Sequence, residues 1–154
     1  TPDVSSAASD VYKRQSILLS QNKSFGNSTV TLAHSRTKNL ERLCLESDII
    51  ISAIGIPEFI KGHMIKEGSS IIDVGITRVE DSNFQKGYKI VGDVDFKSVS
   101  KKVGYITTVP GGVGPMTISM LLKNTLKACE ISDWVTQSYS LDYKFLRLKA
   151  QKVH

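Results

Sequence analysis

Residues 48–54, Asp-Ile-Ile-Ile-Ser-Ala-Ile, limit what this chain can fold into more than any other segment. A short, nearly continuous apolar run of β-branched residues is what a strand buried on both faces of a parallel sheet requires. Residues 69–74 (SSIIDV) repeat the pattern and stop at Gly75. KIVGDV at 89–94 and YITTV at 105–109 predict two further strands around a short helix, with Asp95 as its candidate N-cap. Upstream, STVTLAH at 28–34 alternates β-branched and small residues and also reads as a strand.

Helical stretches alternate with these runs. Ile17, Leu18 and Leu19 suggest one helix, and Thr37 is placed to cap another through about Ser47, with Leu40, Leu43 and Cys44 on one face. Gly55 and Pro57 open a short helix for which Gly68 is the C-terminal stop. A long helix starts near Pro115, with Ile118, Leu121, Leu122, Thr125 and Cys129 on one stripe and Lys123 and Lys127 facing out. Strands separated in this way imply an α/β fold, a parallel sheet with right-handed crossovers and flanking helices.

Before the long helix lies Pro110-Gly111-Gly112-Val113-Gly114-Pro115-Met116-Thr117. Glycines let the backbone approach a ligand and adopt φ > 0, and proline in a helix's first turn removes no intrahelical bond. The loop offers free N–H groups at the positive end of a helix dipole. A tight strand-to-helix turn without a ligand accounts for one or two glycines, but not for three between paired prolines. Thr117 stands where the dinucleotide fingerprint G-x-G-x-x-G has its third glycine, which favours contact with a ring or amide over a pyrophosphate grip.

Composition excludes several classes. A chain of 154 residues is one domain's worth, and a net charge of +5 with 7% aromatics lacks the basic stripe of a nucleic-acid surface. No apolar run reaches the roughly 20 residues that span a bilayer, and the first residues are not expected to act as a charged-then-apolar signal peptide. Cys44 and Cys129 read as reduced, buried thiols of a cytoplasmic protein, and His34, His63 and His154 have no metal-ligand spacing. No metal, nucleic-acid or membrane partner is expected.

PGGVGPMT, with YITTV before it and ISMLLKNTLKA after it, resembles the C-terminal signature of the bifunctional methylenetetrahydrofolate dehydrogenase/methenyltetrahydrofolate cyclohydrolases. TVTLAHSRTKNL at 29–40, SDIIISAIGIPEFIKGHMIKEGSSIIDVGITR at 47–78 and KIVGDVDF at 89–96 resemble the same family in the same order. The resemblance runs from about Ser16 to about Cys129. It implies a Rossmann-like cofactor domain at 16–130 whose first strand is missing, because STVTLAH matches the second. Residues 1–15 match nothing in the family and read as an artefactual or disordered leader, and 131–154 as a tail. In that tail Leu141, Phe145 and Leu148 form a helical stripe, expected to dock on its own domain.

An NAD site usually carries Asp or Glu after its second strand, to accept from the ribose 2′-hydroxyl. Here Ser35-Arg36-Thr37 follows STVTLAH instead. A hydroxyl and a guanidinium suit a 2′-phosphate, so NADP is the expected cofactor, with Lys38 available to assist. Arginine after a strand is in general a solvated side chain; its register beside the family's matching serine favours the cofactor role. The resemblance also implies Ile76 beside the nicotinamide, Ala53 and Gly55 beneath the cofactor, and Thr117 reaching the nicotinamide amide. It implies Gly111, Gly112, Gly114 and Pro115 as one wall of the folate cleft. The bland alternatives are a strand-end core residue for Ile76 and a helix-start hydroxyl for Thr117.

The implied reaction oxidises 5,10-methylenetetrahydrofolate with NADP and hydrolyses the methenyl product to 10-formyltetrahydrofolate, in a homodimer. The family takes its proton-shuttling lysine and nearby tyrosine from an N-terminal domain, and its phosphate grip from a glycine-arginine-serine loop. Neither is found here, so the chain alone is expected to be inactive and no residue is assigned as catalytic. Asp73, Asp93 and Asp95 invite a general-acid reading, but the family gives them no such role, and Asp73 can equally cap backbone N–H groups. Two alternatives stay open: a stand-alone NADP-binding module without chemistry, and a relative that is a dehydrogenase only.

Overall fold

The computed structural model describes residues 6–84 and 86–131. The helical stripe anticipated at 141–149 lies outside them. Three parallel strands form the main sheet in the order β1 (Ile49–Ser52), β2 (Ser70–Asp73), β5 (Tyr105–Ile106). Ile49 pairs with Ser70 and Ile71 with Ile106, so all three strands point the same way. A separate antiparallel hairpin joins β3 (Thr77–Glu80) to β4 (Tyr88–Val91).

Four helices complete the described chain: α1 (Ser6–Ser20), α2 (Leu40–Glu46), α3 (Phe96–Val99) and α4 (Val113–Ile131). No glycine or proline interrupts residues 6–20, and the helix that Ile17–Leu19 suggested extends back through residues read as an aperiodic leader. In α2, Cys44 is buried while Leu40 packs against the core, as the stripe required. Thr37 does not cap this helix. Its hydroxyl oxygen accepts the His34 N–H at 2.8 Å and closes the preceding turn, leaving left-handed Asn39 at the helix start.

The core is small. Ile60, Ile65, Ile71 and Val99 are essentially inaccessible, joined by Cys44, Met64 and Val94. Between β1 and β2 the expected short helix shrinks to a turn at Pro57–Glu58 and one 3-10 turn, Gly62–Met64. Lys102 caps that 3-10 turn by donating to the Gly62 carbonyl at 2.9 Å. Gly68 does lie in a left-handed turn, at φ 76°.

Several strand expectations are corrected. Residues 28–34 find no strand partner among the described residues, so no ladder forms and Leu32 is 53% exposed. For the same reason β1 lies at a sheet edge rather than buried on both faces, with Ile49 61% exposed. KIVGDV does not join the parallel sheet: Tyr88–Val91 pairs antiparallel with Thr77–Glu80, and only Val94 makes a parallel bridge, to Ile60. The α4 stripe of Ile118, Leu121 and Leu122 is exposed, since no other described element covers it.

Candidate functional site

Because β1, β2 and β5 are parallel neighbours, their carboxyl ends lie on one sheet edge. The segments that leave them, 53–55, 74–76 and 107–112, therefore emerge side by side. In open α/β sheets this edge is where ligands bind. It carries Ala53, Gly55 and Ile76, and leads through Gly111 and Gly112 into the first turn of α4.

Two buried carboxylates hold the edge together. Asp73 ends β2 and is 3% exposed; Asp93 follows β4 and is fully buried. Asp73 Oδ1 accepts the N–H groups of Gly75 at 2.9 Å and Asp93 at 3.1 Å, and its Oδ2 accepts that of Val94 at 3.0 Å. Asp93 Oδ1 accepts the Gly55 N–H at 3.0 Å, while its Oδ2 accepts the Ile54 N–H and, more weakly, the Ser52 hydroxyl at 3.4 Å. Thr107 adds the third strand: its Oγ1 accepts the Asp73 N–H at 2.8 Å. These N–H donors compensate the burial of two negative charges. The Asp73 capping role anticipated from sequence is therefore observed. The part played by Asp93 was not, because it depends on contacts across 38 residues.

The anticipated site residues fall into two groups. Ile76 lies at the carboxyl edge with 72% of its surface exposed, so among the described residues it is not packed as a strand-end core residue. Gly55 is exposed with φ 77°, and its N–H is already held by Asp93. Thr117 donates its hydroxyl back to the Val113 carbonyl at 3.0 Å, the ordinary behaviour of a hydroxyl in a helix's first turns, and keeps acceptor capacity. Ser35 and Arg36 occupy an exposed turn in which the Arg36 N–H donates to His34 Nδ1 at 3.1 Å. No hydrogen bond ties that turn to the sheet edge among the described residues, and the Arg36 guanidinium makes no ion pair there.

The glycine run divides by local cause. Gly111 adopts φ 99°, and a Cβ on Gly112 would strike the Thr108 carbonyl oxygen, so the turn itself requires both. Around Gly114 a Cβ would meet nothing within 4 Å. Pro115 sits in the first turn of α4, as its missing N–H allows.

A cavity of about 340 Å³ beside this edge is lined by Glu58, Asp73, Phe96, Lys97, Thr108 and Val109 among others. None of the anticipated cofactor or folate contacts lines it. Nearby, burial pushes the Asp95 carboxyl upward, but bonding to Ser98 and the Lys61 ammonium 3.5 Å away outweigh that and hold it below the usual range. Burial raises the Cys44 thiol, whereas Cys129, also expected to be buried, is exposed because no other described element covers α4. Among the described residues no cluster of His, Cys, Asp and Glu could hold a metal ion, and no helix is long and apolar enough to cross a membrane.

A parallel sheet with flanking helices and ligand-accessible loops at the strand carboxyl ends defines a nucleotide-binding α/β domain. Residues 4–133 match the family model of the tetrahydrofolate dehydrogenase/cyclohydrolase NAD(P)-binding domain, a span that takes in most of the leader expected to match nothing in the family, and the chain belongs to that family. It is 63% identical over 118 residues to the bifunctional protein FolD of Flavobacterium johnsoniae, covering 77% of this chain and 40% of that protein. It is 53% identical to the bifunctional protein FolD of Bacteroides fragilis over the same shares, 77% and 40%. The chain thus spans about 40% of the length of these curated relatives.

Solved structures agree. The Trypanosoma brucei methylenetetrahydrofolate dehydrogenase-cyclohydrolase, complexed with NADP cofactor and inhibitor, superposes with a TM-score of 0.60 at 50% identity, over 64% of this chain and 34% of that one. The Campylobacter jejuni bifunctional enzyme gives 0.59 at 51% identity, over 67% and 34%.

Proposed function

We propose that this chain is the NADP-binding domain, residues 16–130, of an enzyme that oxidises 5,10-methylenetetrahydrofolate and hydrolyses the methenyl product to 10-formyltetrahydrofolate. The observation that carries this reading is the convergence of segments 53–55, 74–76 and 107–112 on one sheet edge, in a chain 63% identical to a bifunctional FolD protein. NADP supplies the hydride acceptor when bound. The chain's own task is positioning. Ile76 gives the nicotinamide an apolar face, and Ala53 and Gly55 form the floor. Thr117 keeps an acceptor for the carboxamide.

Ser35 and Arg36 hold the 2′-phosphate. Arg36 suits that role because its guanidinium is exposed and free of ion pairs within the described chain. Gly111, Gly112, Gly114 and Pro115 form a wall of the folate cleft. Gly114 supports this most directly, since neither its surroundings nor a turn explains the missing side chain. The whole protein acts as a homodimer in the cytoplasm, a compartment that fits two free thiols. The 154 residues by themselves do not turn over folate.

Isothermal titration of the chain with NADP and with NAD tests the cofactor assignment. Tighter binding of NADP supports it; equal or tighter binding of NAD overturns it. Folate-dependent NADPH formation by the isolated chain would overturn the claim of inactivity.

A further inference from the structure

We propose that Asp93, backed by Asp73 and Thr107, is the positioning group that presets the cofactor-facing backbone; this rests on the cofactor reading of the sheet edge. The three side chains join all three carboxyl-edge segments in one buried network. Thr107 fixes the end of β2 through the Asp73 N–H, and Asp73 fixes Gly75, next to Ile76, while also accepting from the Asp93 N–H. Asp93 in turn grips Ile54 and Gly55. No cation neutralises either carboxylate among the described residues, so each remains committed to backbone donors.

That commitment decides the role. A carboxylate already saturated by N–H donors can hold a loop in one geometry before a ligand arrives. At Gly55 the left-handed φ of 77° is one of many backbone states open to glycine, and the bond to Asp93 selects it. The edges of Gly75 and Gly92 are closed to side chains by the same carboxylates, since a Cβ on Gly75 would strike Asp93 and one on Gly92 would strike Asp73. The network is therefore packed on both sides as well as bonded.

The test compares the chain with its Asp93→Asn and Ser52→Ala variants. Asparagine keeps one acceptor but turns the other position into a donor facing an N–H. The readouts are hydrogen exchange of the Ile54 and Gly55 amides, the NADP dissociation constant at a temperature where each variant is folded, and the thermal midpoint. Asp93→Asn is expected to speed exchange at both amides and weaken NADP roughly tenfold in the folded protein. Ser52→Ala, which loosens the carboxylate without removing it, is expected to weaken NADP about twofold to threefold with unchanged circular dichroism.

A lowered midpoint with unchanged amide exchange and NADP affinity shows a merely structural role and overturns the proposal. If Asp93→Asn does not fold, Ser52→Ala decides in the same way. If the unaltered chain binds no NADP, the cofactor reading fails, and the proposal is then judged on amide exchange alone: unchanged exchange in the variants overturns it.

Discussion

The α-carbon of Gly92 lies against the Asp73 carboxylate so closely that a Cβ there would overlap its Oδ2. Both residues are buried, and the Asp73 oxygens already bond to three backbone N–H groups. Gly92→Ala must displace the carboxylate and break at least one of those bonds. It is expected to lower stability by about 2–4 kcal/mol, combining overpacking with a lost charge-assisted bond. Urea denaturation with an unchanged slope measures it; a midpoint equal to that of the unaltered chain refutes it.

Arg36→Ala removes the guanidinium proposed to hold the 2′-phosphate. Charge-assisted bonds of this kind are worth about 1.5–3 kcal/mol, so NADP affinity should fall roughly tenfold to a hundredfold. NAD affinity should stay within about twofold, because NAD carries no group at that position. Calorimetry with both nucleotides separates this from general damage to the site.

Asp95 provides the pH prediction. Its carboxyl titrates below the ordinary value of 3.8 in the folded chain, since Ser98 and Lys61 outweigh the opposing effect of burial. A depressed folded value means that the unfolded chain takes up the proton first as acid is added. The stabilisation is therefore complete above about pH 5, falls as pH drops through 3.8, and is gone below the lower folded value. Asp95→Asn should lower the thermal midpoint at pH 7, and the difference from the unaltered chain should shrink steadily as the pH is lowered through 3.8.

The two thiols should differ in reactivity. Cys129 is exposed on α4, whereas Cys44 is 6% exposed and its thiol is raised by burial. Alkylation at pH 8 should label Cys129 rapidly and Cys44 only after denaturant is added. Equal labelling of both in the folded chain, read by peptide mass spectrometry, would show the α2 contact to be wrong.

Ile71 lies in the middle strand of the parallel sheet and is 1% exposed. Ile71→Ala leaves a cavity among Cys44, Ile65 and their neighbours in a small core. The expected loss is about 2–5 kcal/mol, measured by denaturant unfolding. A loss under about 1 kcal/mol would mean that this core does not carry the fold.

Sequence by itself determined the local facts. The isoleucine runs marked β1 and β2, because short apolar β-branched stretches have few other ways to bury their side chains. Pro115 marked the start of α4, and the ordered motifs marked the family. Periodicity carries no record of partners, however. KIVGDV read correctly as extended, yet only the three-dimensional fold turned Tyr88–Val91 back against Thr77–Glu80. Thr37 looked like a helix cap because the type of residue is right, but the chain used its oxygen three residues earlier. Ser35 and Arg36 are proposed for the 2′-phosphate from residue type together with family register, whereas the exposed turn that carries them is visible only in the structure. Most of all, tertiary structure decided what Asp73 and Asp93 do. A carboxylate's role depends on which groups surround it, and the amides around Asp93 come from 38 and 39 residues away.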